Sequence, residues 1–254
     1  MVGLTRHSSP VTHHWVSCAG FTLTEAMVSL AAGLIVLGTA FEGLRHFQQR
    51  LMIQQQRIAA TQDGRLGLQV LEAELRLAGT GALPTAPPLL KAEEDEVEFH
   101  ANLSGLATTL TETAAPGQVD LVVQTGTGWP KGKRVVLCGA DQCAEYRLAR
   151  DGRAHGLTLS TPLSQPFAAG TMLTVTNQVR YYLREDDGGK LSLMRMVDGG
   201  ANTLIGGIGL FRLAYRDRQG RITQDPRAVT RVRVELGMEA GGWKSSREIG
   251  IRSP

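Results

Sequence analysis

From Phe21 to Phe41 the chain holds apolar and small residues, four hydroxyls and a single charge, Glu25. About 20 such residues suffice to cross a bilayer as a helix. Beyond Phe41 the uniform run gives way to a stripe. Leu44, Phe47 and Leu51 recur at helical spacing, as do Leu68, Leu71 and Leu75, with Gln48, Gln49 and the glutamines at 54–56 left for a wet face. The first proline after the run is Pro84, so one helix over residues 21–77 is predicted. At 1.5 Å per residue it would extend on the order of 85 Å. Gly64 and Gly67 lower helix propensity, and the stripe slips phase there, which predicts a kink or short break within residues 61–67. Gly79 is placed to cap the C-terminus.

Residues 80–90, rich in Pro, Gly, Ala and Thr, read as a link. After them the period drops to two. Val97, Phe99, Ala101 and Leu103 alternate with polar residues, and residues 119–123 make a short apolar strand. Strands are predicted at 134–137 and 146–148, at 173–176 and 179–183, and at 190–197 after the Asp-Asp-Gly-Gly turn of 186–189. Residues 211–215 and 232–236 complete the set. One long helix followed by many antiparallel strands predicts an α+β domain whose sheet packs on the second half of the helix.

Composition narrows the chemistry. A formal charge of +3 over 254 residues is not the basic excess of a nucleic-acid binder. Lys131, Lys133 and Arg134 cluster, as do Arg212, Arg216, Arg218 and Arg221, but few aromatics interleave to stack bases, so DNA binding is not expected. The glycines and lysines of 126–134 lack the spacing, the following Ser/Thr and the following helix of a phosphate loop. The acidic runs 93–96 and 186–187 read as solvated loops rather than calcium sites. Neither a Gly-x-Ser-x-Gly elbow nor a His-Glu-x-x-His helix occurs. No enzyme, metal site or cofactor is expected.

Glu25 carries the functional signal. An ionised carboxylate in a membrane helix costs about 2.5–3.5 kcal/mol on insertion scales, so it calls for a purpose. It lies five residues past Gly20, in Gly-Phe-Thr-Leu-Thr-Glu, just ahead of the uncharged run. This pattern resembles the cleavage and assembly signal of type IV prepilins and type II secretion pseudopilins. The resemblance implies cleavage between Gly20 and Phe21 by a prepilin peptidase and N-methyltransferase, N-methylation of Phe21, and use of Glu25 in filament assembly. A secretory signal would have a shorter apolar segment and a small-residue cleavage site after it. An ordinary anchor is the other alternative, and it leaves Glu25 without a reason.

Exposing the Phe21 amine would put it one helical turn from Glu25. In low dielectric the carboxylate of one subunit and the amine of a neighbour would attract strongly and fix axial register. The preceding segment holds one formal charge, Arg6, with His7, His13, His14 and Pro10, and reads as a short cytoplasmic tail. Arg45, Arg50 and Arg57 lie beyond the span, so the charge bias supports this orientation only weakly. The domain plan is therefore a leader at 1–20, a transmembrane assembly helix at 21–43, an amphipathic helix at 44–79, and an exported β-rich head at 80–254.

The family likeness extends further. Leu71, Glu74, Leu75, Arg76, Ala78 and Gly79 resemble the helix end of PilW-like minor pilins and J-type pseudopilins. Tyr182–Leu183, Leu191–Arg195, Gly207–Tyr215 and Val229–Leu236 resemble the strand order of the same proteins. A minor pilin of the PilW group is implied, in the inner membrane with its head in the periplasm and then in the pilus at the cell surface. Its partners would be minor and major pilins and the inner-membrane assembly platform. A J-type secretion pseudopilin and a non-assembling, membrane-anchored periplasmic binding protein are the alternatives. Thr24 departs from the usual aliphatic residue. Glu42 stands where major pilins often carry proline, which argues for a minor component, and Arg45 is its expected partner at i, i+3. Cys18 would leave with the leader. Cys138 and Cys143 then form an even, tightly spaced pair between two predicted strands, which suggests a disulfide in an exported domain, with free thiols as the alternative.

Overall fold

The computed structural model describes Gly20 and residues 22–251. Its one helix among them, α1 (Leu23–Leu75), is unbroken. The chain divides into two compact units after Ile53. In the first, α1 is exposed on every face: Leu23, Val28 and Phe41 are 80%, 69% and 69% exposed. So much bare apolar surface is stable only in a bilayer or against other helices.

The second unit is the α+β head, and its fold is pilin-like. Twelve strands follow α1 among the described residues: β1 (Lys91–Ala92), β2 (Glu96–Ala101), β3 (Ala107–Thr109), β4 (Asp120–Val122), β5 (Arg134–Cys138), β6 (Cys143–Arg147), β7 (Gly156–Thr158), β8 (Met172–Glu185), β9 (Leu191–Val197), β10 (Gly200–Arg216), β11 (Arg231–Met238) and β12 (Lys244–Gly250). The main sheet runs β1-β2-β8-β9-β10-β11-β12, antiparallel throughout. Alternation sets its faces: Val97, Phe99 and Ala101 of β2, Val179 and Tyr181 of β8, and Val232, Val234 and Leu236 of β11 all turn into the core. Leu68, Leu71 and Leu75 of α1 meet them there, each at most 4% exposed.

The expected break at 61–67 does not occur. Gly64 and Gly67 are buried, and their missing side chains let the helix approach the sheet. A Cβ on Gly67 would collide with the Ile205 side chain, and one on Gly64 would stand 2.7 Å from the Trp243 ring. The glycines are packing residues, and that contact outweighs their weak propensity. The helix ends at Leu75, two residues short of the expectation, then tightens into turns. Gly79, at φ 84°, donates its N–H to His100 O at 2.8 Å.

β8 joins what alternation suggested were two strands. Its first half pairs with β3 and β5, its second with β2 and β9. The first half belongs to a second core, in which β3, β5, β6 and the small β4–β7 sheet surround Trp129, Leu137, Leu148, Phe167 and Leu173. At the junction, the buried Asn177 accepts the Leu103 N–H at 3.2 Å and donates to Asp198 at 2.8 Å. β10 is much longer than residues 211–215. It begins at the Asp198-Gly199 turn, where both residues have positive φ and so match the twist of a two-residue hairpin.

Candidate functional site

The start of α1 is built by its own side chains. Thr22 accepts the Glu25 N–H on its hydroxyl at 3.3 Å, and its carbonyl accepts the Ala26 N–H at 3.1 Å. Thr22 is therefore the N-cap and Glu25 the third helical residue, the spacing of a capping box. The Glu25 carboxylate is exposed at the positive end of the helix, where negative charge is favoured. Gly20 lies just outside the helix in coil and is also exposed. Phe21 and residues 1–19, and with them the expected cleavage partner, Cys18 and the rest of the leader, lie outside the described residues. Farther along, Glu42 pairs with His46 Nε2 at 3.7 Å rather than with Arg45.

Four polar constructions hold the head. The first unites two stretches that sequence likeness had linked only by order. Arg195 Nε donates to both Glu74 oxygens, at 3.1 and 3.0 Å, and its terminal nitrogen reaches Oε1 at 2.5 Å. The Tyr181 hydroxyl donates to Oε2 at 2.5 Å. Burial raises the Tyr181 pKa and the adjacent carboxylate raises it further. The bond to Glu74 raises that of Arg195. A charged residue between Leu71 and Leu75 of a buried stripe was the available signal for this tie.

The second construction corrects an expectation. Glu96 does not belong to a solvated acidic loop: it is 8% exposed and lies between Arg180 at 2.7 Å and Lys91 at 3.1 Å. Burial pushes its carboxyl up, but the two cations win and hold it below the ordinary range. The third centres on Asp198, bonded to Lys133 at 2.7 Å, the Gln178 N–H at 3.0 Å and Asn177. Burial opposes its ionisation, and these donors outweigh burial to lower its pKa. Lys133 and Arg134 therefore serve the carboxylate of the β9–β10 turn, and Arg221 likewise serves Asp217 at 2.9 Å. His100, part-buried with Nε2 3.4 Å from Arg134, has its pKa lowered by burial and by that guanidinium.

The fourth is covalent. Cys138 and Cys143 are register partners of β5 and β6, with Cα atoms 4.2 Å apart, and they form a disulfide. It closes the Gly-Ala-Asp-Gln loop, whose Gln142 side chain donates to Pro166 O. Among the described residues no group of three or more His, Cys, Asp or Glu is placed to hold a metal ion.

Residues 15–41 match the family described as "Prokaryotic N-terminal methylation motif". No curated protein and no solved structure matches the chain. The matched segment spans Gly20, Glu25 and the whole exposed apolar run, and it leads into a pilin-like head. The chain thus carries the N-terminal methylation motif of the type IV pilin and pseudopilin family, which implies a membrane-anchored prepilin processed by the prepilin peptidase.

Proposed function

We propose that this chain is a minor pilin of a type IV pilus, most like the PilW group, cut between Gly20 and Phe21 and built into the pilus or its initiating tip complex. The observation that carries the reading is the start of α1. An exposed carboxylate occupies the third position of a membrane-length helix, inside a methylation motif. Cleavage would create an amine at Phe21, and Glu25 of a neighbouring subunit would pair with it. That contact would align subunits axially while leaving the apolar faces to pack.

Two observations favour a PilW-like minor component. Glu42 stands in place of a helix-kinking proline. The Glu74–Arg195 pair joins the helix end to the Leu191–Arg195 strand, two of the stretches in which the likeness to these proteins lies. A J-type secretion pseudopilin shares the same parts. A chromosomal deletion separates the two: loss of surface pili with normal protein secretion is expected, whereas retained pili with accumulation of secreted enzymes in the periplasm would assign the chain to secretion. A deletion that alters neither would favour an anchored periplasmic binding protein.

A further inference from the structure

Residues 126–134 lack the spacing of a phosphate loop, yet the fold gathers their cations into a pocket by another route. Trp129 is 2% exposed and anchors the turn before β5 in the second core. The Lys131 N–H is held by Asp151 Oδ1 at 2.7 Å and the Gly132 N–H by Leu148 O at 2.8 Å. β5 then pairs with β6 in a register that sets Arg134 directly opposite Arg147. Lys131, Lys133, Arg134, Arg147, Gln178 and Asp198 line a concave pocket of about 290 Å³.

Four cations meet one carboxylate there, and that carboxylate is already engaged. Asp198 accepts from Lys133 at 2.7 Å, Asn177 at 2.8 Å and the Gln178 N–H at 3.0 Å. The Arg134 side chain is 16% exposed and lies 3.8 Å from both Asp198 and Glu145, beyond hydrogen-bond reach. Its shorter contacts, at 3.3 and 3.4 Å, are with Gln178 and His100. Lys131 and Arg147 are exposed, and among the described residues neither forms an ion pair. Like charges directly opposite each other across two strands destabilise the pairing. The Arg134–Arg147 pair therefore weakens the head as it stands. An anion seated between the guanidiniums would turn that repulsion into charge-assisted contacts.

We propose that this pocket binds a tetrahedral oxyanion dianion, a phosphate group either free or carried as a terminal monoester. A carboxylate offers one charge and two oxygens, too few for two guanidinium forks and two ammoniums. A phosphate offers nearly two charges and at least three acceptor oxygens. The volume sits at the low end for small-molecule sites, which suits one anionic group rather than an extended chain. Among the described residues no aromatic side chain lines the pocket, so a nucleic-acid base has no platform on which to stack. The proposal is separate from the assembly reading.

The test titrates inorganic phosphate into the full chain in detergent at low ionic strength, read by calorimetry and by melting temperature. One site per chain is expected, with acetate at least about tenfold weaker. Phosphate should raise the melting temperature of the parent chain. Arg147→Gln removes the like-charge pair, so without phosphate it should melt no lower than the parent. It should bind phosphate about tenfold more weakly and lose the phosphate-induced shift. Lys131→Gln should weaken binding as well, whereas Arg218→Gln, an exposed cation outside the pocket, should not. Glucose 1-phosphate bound as tightly as phosphate would support the site and point to a monoester. Its exclusion while phosphate still binds would support the site and point to the free ion. Phosphate that does not bind, or that acetate matches, would overturn the proposal. So would phosphate binding that Arg147→Gln spares, or that Arg218→Gln weakens equally.

Discussion

Arg195 grips Glu74 with three hydrogen bonds of 2.5–3.1 Å, joining β9 to the last turn of α1. The Tyr181 hydroxyl completes the carboxylate's shell. Glu74 and Arg195 retain 13% and 28% of their side-chain exposure, so the pair is largely but not wholly desolvated. Removing one partner strands the other. Arg195→Ala is expected to destabilise the head by ~2–3 kcal/mol, and Tyr181→Phe by ~1 kcal/mol. The double variant Glu74→Leu/Arg195→Met should cost less than Arg195→Ala, because neither charge is left alone. Denaturant unfolding of the full chain in detergent measures all three. A double variant that costs as much as Arg195→Ala, or more, would refute the account of a paired unit.

The two helix glycines should respond against propensity. Gly67→Ala would gain about 1 kcal/mol of intrinsic helix preference but push a methyl into Ile205, so a net loss of ~1–3 kcal/mol is expected. Gly43→Ala, in the same helix with nothing within 4 Å, should be neutral or mildly stabilising. Equal effects at both sites would remove the close-approach role.

Acid should destabilise the head in two stages, each set by a lowered pKa. His100 binds a proton more weakly folded than unfolded, so stability is full above its ordinary value of about 6.5 and falls as pH drops below it. Glu96 and Asp198 are held ionised by their partners, so their contribution is full above the ordinary carboxylate range and is lost as pH falls through their folded values. His100→Gln should remove the first stage only. Melting temperature against pH for both chains reads this directly, and an unchanged upper stage would contradict it.

The disulfide closes a short loop, so its contribution is modest. Cys138→Ser/Cys143→Ser should lower stability by ~2 kcal/mol on the chain-entropy view. The free energy of unfolding with and without reductant should differ for the parent chain and coincide for the variant.

Pattern reading reached the fold where burial is one-sided or complete. The long helix followed from an uncharged run and the Leu68–Leu71–Leu75 stripe, β2 and β11 from strict alternation, and β9 from the turn that precedes it. It failed where burial is not written in the strand itself. β12, an edge strand reading Lys-Ser-Ser-Arg-Glu-Ile-Gly, buries only Ile249 and looks like a loop. The strands at 119–123, 134–137, 146–148 and 173–176 were legible, but that they close a second core was not, because β3 and β7 are only three residues long and Trp129 enters the core from a glycine-rich turn. Gly64 and Gly67 were misread because propensity cannot foresee what the opposing sheet requires. Glu96 was misread because its partners lie on other strands, out of reach of any local pattern. At the start of α1 the motif was fully legible, since its chemistry is local.

The role of Glu25 is open to a direct exchange. Glu25→Leu keeps the helix apolar and removes the negative charge, so the variant chain should still be processed but be lost from sheared pili. Helix capping by Thr22 and Glu25 is worth only ~1 kcal/mol, too little to abolish incorporation. Normal incorporation would end the registry role.

The central claim is that this chain is made as a prepilin and matures at Gly20–Phe21. Intact-mass and N-terminal peptide spectra of the protein from native membranes test it most directly. A chain beginning at an N-methylated Phe21, and reverting to the uncut form when the prepilin peptidase is deleted, is the result expected. A mature chain that still carries residues 1–20, or one cut after the apolar run, would contradict it.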